Sequence, residues 1–209
     1  MRRLIRQRPH GVVLPIERRL EAWKIEHVPA RTALRRALGP RGKLGRALRA
    51  LPVAHVSQGS LFVHAGLLPA WAKLGLEGLD QLAQQEWAQG GRGLWTLPKK
   101  GLFRSGSGPL WDRSLVRGGP DARRALTQSL ALVGAQRMIV GHTQTASLPG
   151  GREGHIHVQA RGRLISVDVG LSSGPQSPRT ALILEGNAGY EWTPSGTRSL
   201  WSAGRRQKK

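Results

Sequence analysis

The chain has 209 residues, 39% of them hydrophobic, no cysteine, and a formal net charge of +21 at pH 7. One domain of ordinary size is expected, since domains run to about 100–200 residues. No run reaches the roughly 18 apolar residues that a membrane helix needs, and the lack of cysteine excludes disulfides, thiolate nucleophiles and zinc–thiolate sites. We expect a soluble protein without a membrane partner, in the cytoplasm or another reducing compartment.

The charge favours polyanionic partners such as nucleic acid or anionic lipid. Aromatic residues make up only 5% of the chain, and no stretch interleaves them with basic residues as a single-strand stacking surface would. Specific nucleic-acid binding is therefore the less favoured interpretation. The Arg-rich, acid-poor start is compatible with an organelle transit peptide but lacks its usual serines, and no apolar signal-peptide stretch follows, so secretion is not expected.

In the first half, "PIERRLEAWKIEH" at residues 15–27 predicts an amphipathic helix, and a second helical stretch follows that is broken at "GPRG", residues 39–42. "VAHVSQGSLFVHAG" predicts two strands joined by a turn at residues 57–59. "LEGLDQLAQQEWAQ" predicts a helix that ends at glycines from residue 90 onward. Residues 90–119, rich in Gly, Pro and Lys, are expected to form a long surface loop.

The second half begins with a helix that starts at Pro120, carries one apolar stripe and stops at Gly134. "RMIVGHT" predicts a short buried strand, "GHIHVQARGRLISVDVG" a hairpin turning at residues 161–162, and "TALILEG" another strand. The fold class expected is α/β or α+β. The expected organisation is a basic N-terminal segment at 1–40, a domain at 41–192 and a basic tail at 193–209.

Two apolar strands, "LFVHAG" and "MIVGHT", end on a histidine next to glycine. Strand ends at a sheet edge are where α/β folds place ligands, so His64 and His142 are candidates to face one point. Imidazole suits zinc, iron and manganese. The alternative is that each histidine simply hydrogen-bonds a backbone carbonyl at its strand end.

"GSLFVHAGLLP", "GPLWDR", "MIVGHTQT" and "GRLISVDVGLS" occur in the order and spacing of calcineurin-like metallophosphoesterases, and resemble in particular the Shewanella-like protein phosphatases. The resemblance covers roughly residues 40–185. It implies a two-sheet β-sandwich flanked by helices and two divalent metal ions, Mn, Fe or Zn. It also implies His64 and His142 as ligands of the second metal, Arg113 as a clamp for the substrate phosphate, and Asp168 as an acid near the site.

The family motifs "GDxHG", "GDxxDRG" and "GNHE" are absent from the sequence. The resemblance therefore implies that the N-terminal metal-binding half is missing and assigns no catalytic residue. A truncated chain or a degenerate relative would each explain this. His155 and His157 could share a strand face and bind a metal, although an exposed hairpin is favoured.

The function expected is metal-dependent hydrolysis of a phosphomonoester or phosphoprotein, by a chain that is truncated or inactive alone. The alternative is a non-catalytic basic module that binds phosphorylated or nucleic-acid partners. For Arg113 the ordinary alternative is a solvated loop arginine.

Overall fold

The structure is a computed structural model that describes residues 23, 30, 32–39, 41–89, 97–172 and 179–202. The chain divides into two compact units, Met1–Leu51 and Pro52–Lys209. In the first unit, residues 32–38 are helical and a second helix, α1, spans Lys43–Arg49. Residues 39, 41 and 42 are not helical, which confirms the interruption predicted there. The first helix predicted in this unit falls mostly outside the described residues.

The second unit contains a five-stranded sheet, a three-stranded sheet and helices. The first sheet has the strand order β1-β2-β3-β5-β4, and the second runs β6-β7-β8. The bounds are β1 Ala54–Ser57, β2 Ser60–Val63, α2 Pro69–Ala72, α3 Gly75–Gln89, α4 Ser114–Arg117, α5 Ala122–Leu132, β3 Arg137–Val140, β4 His157–Gln159, β5 Leu164–Ser166, β6 Ala181–Glu185, β7 Ala188–Thr193 and β8 Gly196–Trp201.

The central strands of the first sheet are parallel. β2 pairs with β3 and β3 pairs with β5 in parallel registers, while β1 and β4 pair antiparallel at the two edges. A parallel connection needs a crossover, which the chain between β2 and β3 supplies with α2 to α5. The carboxyl ends of β2 and β3 therefore lie side by side.

Two cores lie on opposite faces of the first sheet. Met138 and Val140 belong to the cluster shared with the helices, whereas Ile139 between them packs with Ile165 in the cluster facing the second sheet. This alternation follows from the two-residue period of a strand. The expected α/β architecture, with two stacked sheets and flanking helices, is confirmed.

The hairpins predicted at residues 57–59 and 161–162 are both confirmed. β1 and β2 pair with Ser57 opposite Ser60, and Arg161 turns between β4 and β5 in the left-handed region at φ 57°. The helices predicted after Pro69 and before Gly134 are also present. No helix among the described residues is long and apolar enough to cross a bilayer.

The segment predicted as a surface loop differs from that expectation. Leu102, Leu115 and Val116 are buried in the first core, so the described part, 97–119, packs against the domain. The helix predicted to start at Pro120 begins two residues later, at Ala122. Residues 196–201, within the expected basic tail, form strand β8.

Candidate functional site

The two histidines at the strand ends meet. His64 follows β2 directly and His142 follows β3 by two residues, and the Gly141 N–H donates to the His64 carbonyl at 2.9 Å. The His64 Nε2 lies 3.1 Å from the His142 Nδ1. The ring centroids are 4.9 Å apart with an interplanar angle of 56°. The parallel pairing of β2 and β3 thus brings both imidazoles to one point.

His142 sits at the centre of a tight turn. Its φ of 64° lies in the left-handed region, and the Thr143 N–H closes the turn on the Gly141 carbonyl at 2.7 Å. Non-glycine residues rarely adopt this conformation, and such strain concentrates at functional sites. The turn directs the His142 ring toward His64. The His142 Nε2 is buried and has no hydrogen-bond partner among the described residues.

Arg113 and Asp168 also lie close enough to affect His142. Burial, then the positive charge of Arg113 and the neighbouring His64, lowers the pKa of His142, while Asp168 acts in the opposite direction. Arg113 precedes α4, and its Nε is buried without a partner among the described residues. The Asp168 Oδ1 accepts from the Gly170 N–H at 3.2 Å. The other three residues singled out in the sequence, His64, Arg113 and Asp168, therefore lie around His142.

Trp111 and Asp112 belong to the same cluster, and the sequence analysis did not assign them a role. The Trp111 ring meets His142 edge-on with centroids 5.6 Å apart, although the residue is 49% exposed. Asp112 is buried, and its Oδ1 accepts from the Ser114 backbone and hydroxyl. Its Oδ2 is buried without a partner among the described residues. The sequence signal that could have identified Trp111 and Asp112 is their position next to Arg113 in the motif "LWDR".

The loop that carries these residues is tied to α3. The buried carboxylate of Glu86 accepts from the Leu102 N–H at 2.6 Å and from the Phe103 N–H at 3.2 Å. The Phe103 carbonyl in turn accepts from the Trp111 indole N–H at 2.8 Å. A chain of hydrogen bonds therefore runs from α3 to the indole beside His142.

The pair of histidines is the candidate ligand set for the metal ions that the resemblance implies. Zinc–imidazole bonds of about 2.0–2.1 Å place two tetrahedral ligand nitrogens about 3.3 Å apart, close to the 3.1 Å between His64 and His142. The two nitrogens thus suit two positions on one ion. No group of three or more His, Cys, Asp or Glu side chains among the described residues could hold a metal. These residues do not fit a two-metal centre.

His155 and His157 do not form a second metal pair on one strand. His155 precedes β4, and its Nδ1 lies 2.9 Å from the Glu191 Oε1 of β7. Both histidines are partly buried rather than set on an exposed hairpin. Contact with the second sheet, which was not foreseen, accounts for the difference.

Comparison with known proteins gives matches among solved structures. Two structures of a cold-active protein tyrosine phosphatase, one at 1.1 Å and one of a point mutant, match with TM-scores of 0.60 and 0.65 at 21% and 20% identity. They cover 76% and 84% of this chain. A third, of the cold-active protein-tyrosine phosphatase of a psychrophilic Shewanella species, matches with a TM-score of 0.58 at 20% identity and covers 76%.

The chain has the fold of these phosphatases. It spans about half of their length, namely 44%, 52% and 45%. No protein-family model matches the sequence, and no curated protein matches it. The expected relation to phosphatases is thus confirmed at the level of fold.

Proposed function

We propose that the cluster around His142 binds the phosphoryl group of a phosphomonoester or phosphorylated protein, as part of a metal-dependent phosphatase of the calcineurin-like kind. One observation carries the proposal: two imidazoles meet 3.1 Å apart at the carboxyl ends of parallel strands, with Arg113 close to them. The shared fold with phosphatases and the four ordered motifs support it. The Shewanella-like affiliation belongs to the same proposal.

In this proposal Arg113 binds the phosphate. A guanidinium presents two N–H donors in a rigid fork that matches two phosphoryl oxygens. Its buried Nε lacks a partner among the described residues, so a phosphoryl oxygen would satisfy a donor that the fold leaves open. Trp111 would form one wall of the site, because its ring edge contacts His142.

In this proposal the two histidines bind a metal ion. The lowered pKa of His142 means that its imidazole is neutral at pH 7, the form that can bind a metal. His64 and His142 would hold one divalent ion. A bound divalent ion polarises phosphoryl oxygens and lowers the pKa of water. Asp168 would offset part of the positive charge around the cluster.

A second candidate is a non-catalytic module that binds phosphorylated or nucleic-acid partners. It is favoured by the net charge of +21 and by the lack of a three-ligand group among the described residues. In this case the cluster would bind phosphate without turning over an ester. The two candidates share the anion site and differ in metal binding and hydrolysis.

The test is metal content and p-nitrophenyl phosphate turnover of the purified chain with added Mn²⁺. The variants are His64→Ala and His142→Ala, with the exposed strand histidine His55→Ala as the matched control. Bound metal and turnover that are lost in the two site variants and kept in the control would support the phosphatase. Phosphate binding that depends on Arg113, without turnover, would support the binding module. If the chain showed no turnover and no phosphate binding that depends on Arg113, both candidates would be overturned.

A further inference from the structure

A second cationic pocket lies away from His142, between the edge of the first sheet and strand β8. Its volume is about 270 Å³, and its lining includes Arg152, His155, His157, Arg198 and Ser199. This volume lies just under the roughly 300–1,000 Å³ of drug-sized ligand sites. The pocket therefore suits a small anion or one charged group of a larger molecule.

The position of the pocket is fixed by strand register. His157 pairs with Ser166 of β5, and Ser166 pairs with Val140 of β3. Two strand spacings of about 4.8 Å separate the His157 and Val140 backbones by roughly 10 Å. The pocket thus lies on the β4 edge, two strands from the end of β3.

One acid balances only part of the positive charge. The buried Glu191 carboxylate accepts from the Ile156 N–H at 2.6 Å, contacts the His155 Nδ1 at 2.9 Å and pairs with Arg198 at 3.1 Å. Arg152 is exposed and makes no side-chain ion pair or hydrogen bond within the described ranges. Glu191 is paired with Arg198 and His155, so the Arg152 charge has no acidic partner among the residues that the structure describes.

Two residues that line the pocket, His157 and Arg198, have polar atoms available to a ligand. The His157 Nε2 is buried and lacks a hydrogen-bond partner in the part of the chain described. Buried polar atoms nearly always have a partner in a folded protein. The Arg198 guanidinium is 61% exposed, so it retains donors beyond those directed at Glu191. The guanidiniums of Arg152 and Arg198 thus offer N–H donors around one small cavity, and His157 adds a ring nitrogen without a partner among the described residues.

We propose that this pocket binds a phosphate-type dianion, either free phosphate or a phosphate group on a larger molecule, independently of the His64–His142 cluster. Two guanidiniums favour a tetrahedral dianion over a singly charged carboxylate, because the Arg152 fork can bind two oxygens, Arg198 adds the N–H donors that it does not direct at Glu191, and the second negative charge adds attraction. The site is separate from the proposed phosphatase centre.

The experiment titrates inorganic phosphate by calorimetry into an Arg113→Gln/His142→Ala double variant, which lacks the proposed phosphate ligand of the His142 cluster, so that this cluster does not contribute. We expect one phosphate per chain. Arg152→Gln in this background should weaken binding about tenfold or more, the effect of removing a hydrogen bond to a charged group. The control is Arg124→Gln, an exposed arginine on α5 that removes the same charge. Arg152 is exposed, so its replacement should leave the fold intact.

Comparison of ligands identifies the source of the phosphate. Tighter binding of phosphoserine than of inorganic phosphate would assign the pocket to phosphate esters, and the reverse order would assign it to the free ion. Equal losses in Arg152→Gln and Arg124→Gln would show general charge attraction and overturn the proposal. Acetate binding as tight as phosphate, or no binding in the double variant, would overturn it as well.

Discussion

The Nε2 of His64 lies 3.1 Å from the Nδ1 of His142, although 78 residues separate them in the chain. Parallel pairing of β2 and β3 creates this contact, and the left-handed backbone of His142 directs its ring into it. Two imidazoles this close repel each other when both are protonated, which is one reason that the pKa of His142 is lowered. The contact is a hydrogen bond in which one ring nitrogen donates its N–H and the other accepts, with the roles set by the tautomers.

The first prediction concerns the separate effects of Arg113 and Asp168 on the pKa of His142. Arg113→Gln should raise the pKa of His142, because it removes a positive charge that disfavours the imidazolium. Asp168→Asn should lower that pKa further, because it removes the negative charge that favours it. NMR titration of the His142 ring in metal-free protein measures both. The exposed Arg123→Gln serves as the control, and shifts of the same sign in the two site variants would contradict the prediction.

The second prediction concerns the space beside His64. A Cβ on Gly66 would lie 2.9 Å from the Asp112 Oδ2, so Gly66→Ala must displace the buried carboxylate next to Arg113. We expect a loss of about 1–3 kcal/mol in the free energy of unfolding, together with weaker phosphate binding at the His142 cluster. Chemical denaturation and calorimetry measure the two effects.

Gly106 provides the control for this substitution, since a Cβ there meets nothing within 4 Å and its φ is not in the left-handed region. Gly106→Ala should be neutral or stabilising by up to about 1 kcal/mol. If the two alanine variants behaved alike, Gly66 would have no steric role at the site.

The strands of the first sheet could be predicted because local pattern and burial agree there. All four residues of β3 are buried; the apolar run "MIV" indicates this for three of them, and Arg137 is buried as well. Strands β7 and β8 were missed because their sequence mixes Glu, Thr, Arg and Ser with glycine. Their pairing shows only in the sheet, where β7 pairs with both β6 and β8. Long-range partners, not local alternation, determine those strands.

The meeting of His64 and His142 could likewise be expected, since parallel strand ends share a sheet edge. The burial of the Glu86 and Asp112 carboxylates could not be predicted from the sequence. Glu86 lies on a helix whose pattern marks an exposed glutamate, and only the return of residues 102–103 onto α3 gives it two backbone donors. Asp112 is buried for a similar reason, because the segment predicted as a surface loop packs into the core.

The third prediction tests the link from α3 to the site loop. Glu86→Gln replaces one acceptor oxygen with an amide group that cannot accept from a backbone N–H. We expect a loss of about 1–3 kcal/mol in the free energy of unfolding and faster hydrogen exchange at Leu102 and Phe103. Glu77→Gln, an exposed glutamate on the same helix, should change stability by no more than about 0.5 kcal/mol. Unchanged exchange at 102–103 would show that Glu86 does not hold the loop.

The fourth prediction is a pH dependence located in the second sheet. Burial raises the pKa of Glu191, but hydrogen bonds from His155, the Ile156 N–H and Arg198, with the charge of Arg198, outweigh burial, so the net pKa is below its usual value of 4.5. The unfolded chain therefore takes up this proton first as the pH falls. The stabilisation is complete above about pH 4.5 and is lost as the pH falls through the lower folded-state pKa.

Glu191→Gln should remove this part of the acid dependence and lower the free energy of unfolding at pH 7 by about 1.5–3 kcal/mol, because it removes a buried charged acceptor. Denaturation curves between pH 3 and pH 7 measure the slope, with the exposed strand residue Glu185→Gln as the control. A wild-type slope retained in Glu191→Gln would assign the acid sensitivity to other carboxylates. A slope lost in Glu191→Gln and kept in Glu185→Gln would place it at the pairing of Glu191 with His155 and Arg198.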